Sequence, residues 1–299
     1  MTEPWVLLVT RLGLGIDRDR DYRHRVRVAE LALAASLRAQ TDTSFTWVLA
    51  RDIQAPGWVD SEFEGMARGL SFDIWPIDPT TAGMFPVDRA VVRSMASSRP
   101  TILSRCDDDD LLHRTYMART RRELAGRSPP CALTFGRGGN LIDGKVYPVD
   151  YPWTAAGLAV LTDEQAKITP YGFSHTRFPI RMRDQGFEAL EIPTPYPMWL
   201  RSVSAFSDSA ARRRIRPRWW QRPTKLDLAD FGATSHSLQL LRSVLAEAPA
   251  GPIQPPPGRT RLQEKTELAR KIRALKRAAI RTDEDEAEIE RLTATLYDL

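Results

Sequence analysis

The sequence predicts an α/β protein whose mostly parallel sheet is flanked by helices on both faces. Four short apolar segments are typical of buried strands, at residues 5–10, 45–50, 72–75 and 101–104. Helical segments lie between them, and the connections are only a few residues long, which is typical of successive β-α units. Polar residues follow three of these strands, at the edge where α/β sheets bind ligands.

The helices are predicted from apolar spacing and from capping residues. An apolar stripe predicts a helix at about residues 25–38, and residues 61–68 form a second helical patch. Asp88 is a candidate N-cap for a third helix. A fourth helix is expected to begin at Leu111.

Four consecutive aspartates, Asp107–Asp110, follow the fourth predicted strand and are called the acidic run below. Adjacent ionised carboxylates repel one another unless a cation relieves the repulsion. Alternate side chains of an extended segment share a face, so Asp107 and Asp109 can converge on one cation while the other two turn away. Oxygen ligands suit Mg²⁺ or Mn²⁺. The alternative is an acidic helix N-terminus, with Asp110 as the cap.

Two other predicted strands also end in polar residues. Thr10 and Arg11 follow the first strand, and Asp52 follows the second. If the strands are parallel neighbours, these residues and the acidic run meet at one edge of the sheet. Such an edge suits a metal-bound nucleoside diphosphate.

The second half of the sequence does not continue the β-α pattern. Residues 132–135 and 144–148 flank a glycine-rich segment and predict a hairpin, with a tight turn at Asp143 and Gly144. Segments of this kind commonly shape the pocket of a second substrate.

Composition excludes several classes of protein. The hydrophobic content of 42% suffices for a large core, and no segment approaches the ~18 apolar residues of a membrane helix. The N-terminal residues lack the features of a signal peptide, and two cysteines are too few for a disulfide framework. A cytoplasmic location is expected, with peripheral contact at the inner face of the membrane as an open alternative.

A basic segment from Arg212 to Arg222, with Trp219 and Trp220 inside it, indicates a different class of function. Arginines beside aromatic rings suit nucleic-acid phosphates with base stacking, or an anionic membrane surface. The alternative hypothesis is therefore a basic nucleic-acid- or membrane-surface-binding protein in which the acidic run is structural. A solvated basic loop is equally consistent with this segment.

Five sequence motifs carry a resemblance to a known family. They are Val-Thr-Arg at 9–11, Ser-Leu-Arg-Ala-Gln-Thr at 36–41, Phe-Thr-Trp-Val-Leu-Ala-Arg-Asp at 45–52, Ser-Arg-Cys-Asp-Asp-Asp-Asp-Leu at 104–111 and Pro-Met-Trp-Leu-Arg at 197–201. In these the chain resembles the bacterial family labelled "putative rhamnosyltransferase", of the GT-A type of nucleotide-sugar glycosyltransferases. The resemblance covers roughly residues 5–235. It departs after Leu200, where the family's His-Gly-Asn stretch is replaced by Ser-Ala-Phe-Ser-Asp.

The resemblance implies a GT-A-like (Rossmann-like) fold and a set of donor-binding residues. Thr10 and Arg11 would line the nucleotide pocket, and Asp52 would contact the base or ribose. Arg105 could approach the sugar or the phosphates. A turn residue is the alternative for Asp52, and an ion pair with the neighbouring carboxylates is the alternative for Arg105.

The acidic run would supply the D-x-D motif of this type of enzyme. Asp107 and Asp109 stand for its two acids, with Asp109 the more direct ligand of the divalent Mn²⁺ or Mg²⁺ ion and a catalytic residue. Asp108, between them, is included in the donor-binding set.

The implied reaction moves a sugar, rhamnose by the family's label, from a nucleoside-diphosphate sugar to an acceptor hydroxyl. The acceptor would be a glycan, a lipid-linked glycan or a protein, with cell-surface polysaccharide as the context. Asp184, Glu188, Glu191 and His175 are available as the base that takes the acceptor's proton, and Asp184 and His175 are included in the predicted site. His175 could instead complete the metal shell. No nucleic-acid partner is expected of such an enzyme.

The domain prediction divides the chain in two. A GT-A-like domain spans residues 1–235, with a donor half at about 1–126 and an acceptor half at about 127–235. A helical C-terminal extension spans 236–299 and includes a Pro-rich linker at 249–257. Its charged helices suggest an intramolecular helical hairpin, with a homodimer through these helices as the alternative.

Overall fold

A computed structural model describes residues 4–13, 16, 18–78, 87, 100–149, 153, 156–166, 168–171, 178–202, 222–247, 272, 288–289 and 291–292. Its strands are β1 (Trp5–Leu12), β2 (Thr46–Asp52), β3 (Ser71–Ile77), β4 (Thr101–Asp107), β5 (Asp110–Leu112), β6 (Cys131–Phe135), β7 (Gly138–Ile142), β8 (Lys145–Val149), β9 (Leu158–Thr162), β10 (Glu188–Ile192) and β11 (Trp199–Ser202). Its α-helices are α1 (Asp19–Ala29), α2 (Ala35–Arg38), α3 (Trp58–Met66), α4 (Tyr116–Leu124), α5 (Phe178–Asp184) and α6 (Ser235–Leu245). A π-helical segment (Glu30–Ala34) joins α1 to α2, and a 3₁₀ turn (Leu228–Phe231) precedes α6.

The main sheet has seven strands in the order β10-β6-β9-β4-β1-β2-β3. Strands β1 to β4 run parallel, and so do β6 and β10, whereas β9 runs antiparallel between β4 and β6. Six of the seven strands therefore point the same way. The predicted α/β class with a mostly parallel sheet is confirmed.

Buried side chains cover both faces of this sheet, as the alternation of strand residues requires. Leu8, Trp47 and Ile102 belong to the larger cluster, which includes side chains of α1, α3 and α4. Leu7 and Leu103 belong to a second cluster on the opposite face. Consecutive residues of one strand thus enter different clusters, which explains the continuous apolar character of these segments.

A second sheet has four strands in the order β5-β11-β7-β8. Strand β11 pairs antiparallel with β5 and parallel with β7, and β7 forms a hairpin with β8. The predicted turn at Asp143 and Gly144 is confirmed, with φ values of 50° and 72° that match the type I′ geometry of tight hairpins. The predicted partner strand is wrong, because β6 is fully buried and joins the main sheet instead.

The helix expected to begin at Leu111 is also wrong. Residues at this position form β5, and the helix begins at Tyr116. Leu111 packs in the cluster beneath α6, whereas Leu112 packs in the main core. Two consecutive buried leucines that face opposite cores suit a strand and not a helix. Asp110 consequently begins a strand and caps no helix.

The structure describes the remaining predicted elements only in part. Helix α1 begins at Asp19, earlier than expected, and α6 packs against the second sheet through Leu241 and Val244. The helix capped by Asp88, the linker at 249–257 and most of the C-terminal extension lie outside the described part, and the domain boundaries stay predictions. In the described part, every helix is too short or too polar to cross a membrane.

The second sheet is anchored to the main core by Trp199, which is almost fully buried. Its indole lies directly on Gly138 of the neighbouring strand and beside Gly157, and its Nε1 donates to the Phe135 carbonyl at 3.4 Å. A Cβ at Gly138 would overlap the indole ring. The absence of a side chain at this position is therefore a packing requirement.

We expect Gly138→Ala to lower the free energy of unfolding by about 1–3 kcal/mol, since the indole ring must move. Gly65→Ala is the matched control, because a Cβ there meets nothing within 4 Å and removes a helical glycine from α3. The control should raise stability by about 0.5–1 kcal/mol. Urea unfolding of both variants measures the difference, and equal effects would contradict the packing argument.

Candidate active site

The carboxyl ends of three neighbouring parallel strands bring the predicted polar residues together. Arg11 in β1 is paired in register with Asp107 in β4 and with Ala50 in β2. Asp52 ends β2. The expectation that these strand ends meet at one edge of the sheet is confirmed. This edge, with the acidic run, is called the donor rim below.

Alternation along the strands places the candidate residues on two different faces. Arg11, Arg105 and Asp107 follow Val9 and Leu103 at even spacing, and so belong to the face that carries the second cluster. Thr10 lies on the opposite face, is fully buried, and accepts a hydrogen bond from Trp47 Nε1 at 3.0 Å. Its side chain therefore supports the core, which does not fit the predicted role in lining the nucleotide pocket.

Burial alternates along the acidic run, although Asp108 and Asp109 form a turn between β4 and β5 and not the extended segment that the sequence predicts. Asp107 and Asp109 are half-buried, whereas Asp108 and Asp110 are buried. Arg25 of α1 donates from Nη1 to both carboxylate oxygens of Asp108 at 3.0 Å. Asp108 thus ties α1 to the donor rim through a buried ion pair. The ion pair with Arg25 explains why an acidic residue stands at this position without a bound ligand. The predicted inclusion of Asp108 in the donor-binding set therefore does not fit this contact.

Asp110 is nearly inaccessible and holds the run in shape. Its Oδ2 accepts a hydrogen bond from the Asp107 backbone N–H at 3.0 Å, whereas its Oδ1 has no hydrogen-bond partner. Burial, followed by the charges of Asp109 and Asp107, raises the pKa of the Asp110 carboxyl well above its usual value. The accessible acids of the run are therefore Asp107 and Asp109.

Arg105 is a buried cation beneath Asp107. Its Nη2 lies 3.4 Å from Asp107 Oδ1, and its guanidinium lies 4.8 Å from the ring centroid of Tyr171. The Tyr171 hydroxyl donates to the Val9 carbonyl at 2.8 Å. Burial alone would lower the pKa of Arg105, but Asp107, Tyr171 and Asp110 together raise it above its usual value. The structure thus shows the ion-pair alternative, in which Arg105 orients Asp107.

Asp52 also adopts the alternative role that the sequence left open. It is buried, and its Oδ1 accepts a hydrogen bond from the Gln54 backbone N–H at 2.9 Å. A side-chain oxygen bonded two residues on is the signature of an Asx turn. Asp52 consequently shapes the loop at the donor rim, and its contact with a base or ribose stays a prediction.

Of the two candidate bases, Asp184 is described by the structure, and it lies away from the acidic run. Asp184 is exposed at the end of α5, just before Glu188 begins β10. Glu188 pairs with Cys131 at the start of β6, so Asp184 lies toward the amino ends of the strands, opposite the donor rim. A role in the reaction therefore does not fit its position. His175 lies outside the described residues and stays a prediction.

Two buried polar side chains that sequence reasoning passed over hold the segment after the acidic run. Gln40 Nε2 donates to the carbonyls of Ser36 and His113, both at 3.0 Å, and its Oε1 accepts from the Met117 N–H at 3.0 Å. Ser36 Oγ accepts from the Leu112 N–H at 3.1 Å. Both residues belong to the motif at 36–41, which was the available signal, although neither carries a group that suggests chemistry.

Strand β11 holds the acidic run from the other side. Its Arg201 is paired in register with Asp110, and the Ser202 N–H donates to the Asp109 carbonyl at 3.0 Å. The His113 N–H donates to the Met198 carbonyl at 3.0 Å. The motif at 197–201 therefore supports the donor rim, because its strand pairs with β5.

The residues present fit a metal ion that takes most of its ligands from elsewhere. In the described ranges, no three His, Cys, Asp or Glu side chains are grouped so that they could hold an ion. Asp107 and Asp109 supply two half-buried carboxylates, which is the number that Mg²⁺ commonly takes from a protein when a diphosphate completes its shell. A metal cage made by the protein alone is not formed by these side chains.

The fold and the donor rim define the class of protein. A mostly parallel sheet flanked by helices, with acidic residues after β4, is the GT-A-like α/β architecture expected of a nucleotide-sugar glycosyltransferase. The model of the family described as "Putative rhamnosyl transferase" matches residues 18–216, well over half of the chain. The chain belongs to this family, and the predicted family is confirmed.

Three solved structures are similar to this chain at low sequence identity. A "putative nucleotide-diphospho-sugar transferase" from Desulfovibrio desulfuricans G20 is 12% identical, with a TM-score of 0.40 over 83% of this chain and 100% of that chain. The glycosyltransferase GlyE of Streptococcus pneumoniae TIGR4 is 11% identical, with a TM-score of 0.42 over 84% of this chain and 66% of that chain. HddC from Yersinia pseudotuberculosis is 12% identical, with a TM-score of 0.36 over 66% of this chain and 93% of that chain. No match was found among curated proteins.

The alternative hypothesis of a basic binding segment concerns residues that are almost all outside the described part. Of the segment from Arg212 to Arg222, only Arg222 is described. That hypothesis stays a prediction, and so does the homodimer through the C-terminal helices.

We expect Gln40→Leu to lower the free energy of unfolding by about 2–3 kcal/mol, because three hydrogen bonds to backbone groups of buried residues are lost. Gln239→Leu is the matched control, since this side chain is exposed on α6. Chemical denaturation of both variants and the wild type measures the effect. A loss no greater than that of the control would contradict the proposed role of Gln40.

Proposed function

We propose that the protein transfers a sugar from a nucleoside-diphosphate sugar to an acceptor hydroxyl, with the donor bound at the donor rim. Rhamnose is the proposed sugar, on the strength of the family's description. The acceptor is proposed to be a glycan, a lipid-linked glycan or a protein.

The observation that carries this proposal is the meeting of Arg11 with Asp107 at the carboxyl ends of adjacent parallel strands. A diphosphate carries negative charge that a guanidinium can bind, and it shares divalent cations with carboxylates. Asp107 is in register with Arg11, Asp109 follows two residues later, and both acids are half-buried. Open α/β sheets bind ligands at this end of their strands.

Asp107 and Asp109 would hold the divalent metal, Mg²⁺ or Mn²⁺. When bound, the ion would stabilise the negative charge that develops on the departing diphosphate. Arg105 would keep Asp107 oriented through the ion pair beneath it, and Arg25 would neutralise Asp108 so that the loop stays compact.

The transfer forms a bond between the acceptor oxygen and the anomeric carbon. The bond from that carbon to the diphosphate oxygen breaks, and the diphosphate leaves with the electron pair. The acceptor's hydroxyl proton goes to a base. His175 remains one of the predicted candidates for this base, whereas Asp184 lies away from the donor rim.

We expect Asp109→Asn to reduce sugar transfer and donor hydrolysis about 100-fold or more, since one charged ligand at the developing negative charge is lost. Asp143→Asn is the matched control, because Asp143 lies in the exposed β7–β8 turn and asparagine tolerates its positive φ. The release of nucleoside diphosphate measures both variants. Full turnover by Asp109→Asn with Mn²⁺ present would contradict the metal role.

We expect a thermal-shift screen with uridine-, thymidine- and guanosine-diphosphate sugars to find one donor that raises the melting temperature with Mn²⁺. The shift should be smaller without the metal, because the diphosphate then loses the ion that joins it to Asp107 and Asp109. Removal of the metal with EDTA should reverse the effect. An equal shift with and without metal would contradict metal dependence, and no shift with any donor would contradict the proposed function.

A further inference from the structure

The second sheet carries a line of polar residues that begins at the acidic run. Asp110 in β5 is in register with Arg201 in β11, which is in register with Asn140 in β7, which is in register with Tyr147 in β8. Residues paired in register on neighbouring strands project from the same face of a sheet. These four residues are called the polar row below.

The neighbouring row on the same face shows that this polarity is local. It consists of Leu112, Trp199, Gly138 and Val149, which contribute to the main core or pack beside it. On this face, the residues two positions further along each strand are therefore polar, whereas those of the neighbouring row belong to the core. The polar row therefore lies beyond the core. The core residues of the neighbouring row still shield it partly from solvent.

Two polar atoms of this row are buried and have no hydrogen-bond partner. They are Asp110 Oδ1 and Arg201 Nε. The Arg201 guanidinium is fixed in place, because its Nη2 donates to Asn140 Oδ1 at 3.1 Å. Buried polar atoms are nearly always satisfied, and a native exception calls for an unseen partner. Here an acceptor oxygen and a donor N–H stand unused on register-paired residues beside the donor rim.

A sugar hydroxyl satisfies both kinds of atom, because it donates one hydrogen bond and accepts others. A hydroxyl suits Asp110 Oδ1 in either protonation state of this carboxyl, and it suits Arg201 Nε as an acceptor. An ionised phosphate or carboxylate offers acceptors alone, so a neutral polyhydroxylated ligand is the better match. Asn140 and Tyr147 are half-buried and offer an amide and an aromatic ring toward the outer end of the row.

We propose that the polar row is the subsite for a neutral pyranoside acceptor. One sugar would place its hydroxyls at Asp110 Oδ1 and Arg201 Nε once the side chains that bury these two atoms move aside, and would lie next to Asp109 on the donor rim. A second sugar would contact Asn140 and the ring of Tyr147. The row spans three strand spacings, or ~14 Å, which suits more than one sugar ring. This inference rests on the proposed function and adds the acceptor's chemical class and its contacts.

Saturation-transfer NMR with the full-length protein tests the subsite directly. The probes are the methyl glycosides of rhamnose, mannose, glucose and galactose, with and without uridine or thymidine diphosphate and Mn²⁺. At least one glycoside should receive saturation from the wild type. Its apparent affinity should fall about fivefold or more in Arg201→Gln and in Asn140→Ala, because each variant removes hydrogen-bonding groups of the row. Tyr147→Ala, at a half-buried position, provides a variant with little risk to folding.

Arg242→Gln is the matched control, because Arg242 is exposed on α6, on the other side of the second sheet. Equal glycoside affinity in the wild type and all three row variants would overturn the proposal. The absence of a signal from every glycoside with the wild type would overturn it too. Thermal shifts with nucleoside-diphosphate sugars on the same samples report on the donor rim alone. A row variant that loses glycoside binding but keeps its thermal shift with the donor supports the subsite. If no donor shifts the melting temperature, the result counts against the proposed function, and the glycoside binding alone decides the subsite.

Discussion

The donor rim depends on one buried amide. Gln40 uses its Nε2 and its Oε1 to bind three backbone groups, and two of these lie in the segment directly after the acidic run. Buried polar groups are costly unless they are paired, so this side chain allows little freedom in where His113 and Met117 lie. Ser36 fixes Leu112 in the same way. The position of the acidic run is therefore set on one side by the end of the first long helical segment.

The acidic run is less uniform than four identical letters suggest. Asp108 is neutralised by Arg25, and Asp110 is buried against Arg201 and the Asp107 backbone. Only Asp107 and Asp109 are half-exposed. Asp107 ends β4, Asp108 and Asp109 form a turn, and Asp110 begins β5, so neighbouring aspartates meet different surroundings. The rim thus combines two buried acids, each held by a contact within the protein, with two half-buried acids.

The donor rim could be predicted from the sequence because its strands are joined by short local connections. Successive β-α units leave few arrangements, and the polar residues at the strand ends then meet of necessity. The second sheet could not be predicted in this way. Leu111 pairs with Leu200, about 90 positions further along the chain, and no local pattern reveals such a partner. The predicted roles of Thr10 and Asp184 do not fit their positions for a related reason. The sequence does not tell which face of the sheet Thr10 occupies, or at which end of the strands Asp184 lies.

The pairing of β5 with β11 also bears on how the protein folds. Strands β1, β2 and β4 can assemble once the chain is complete to Asp107, but the loop that carries Asp109 gains its second support only when Ser202 is in place. Closing so long a loop costs chain entropy before the contact is gained. During synthesis, the donor rim is thus completed only after β11 has paired with β5. The parallel strands are therefore in place before the edge at which the donor is proposed to bind.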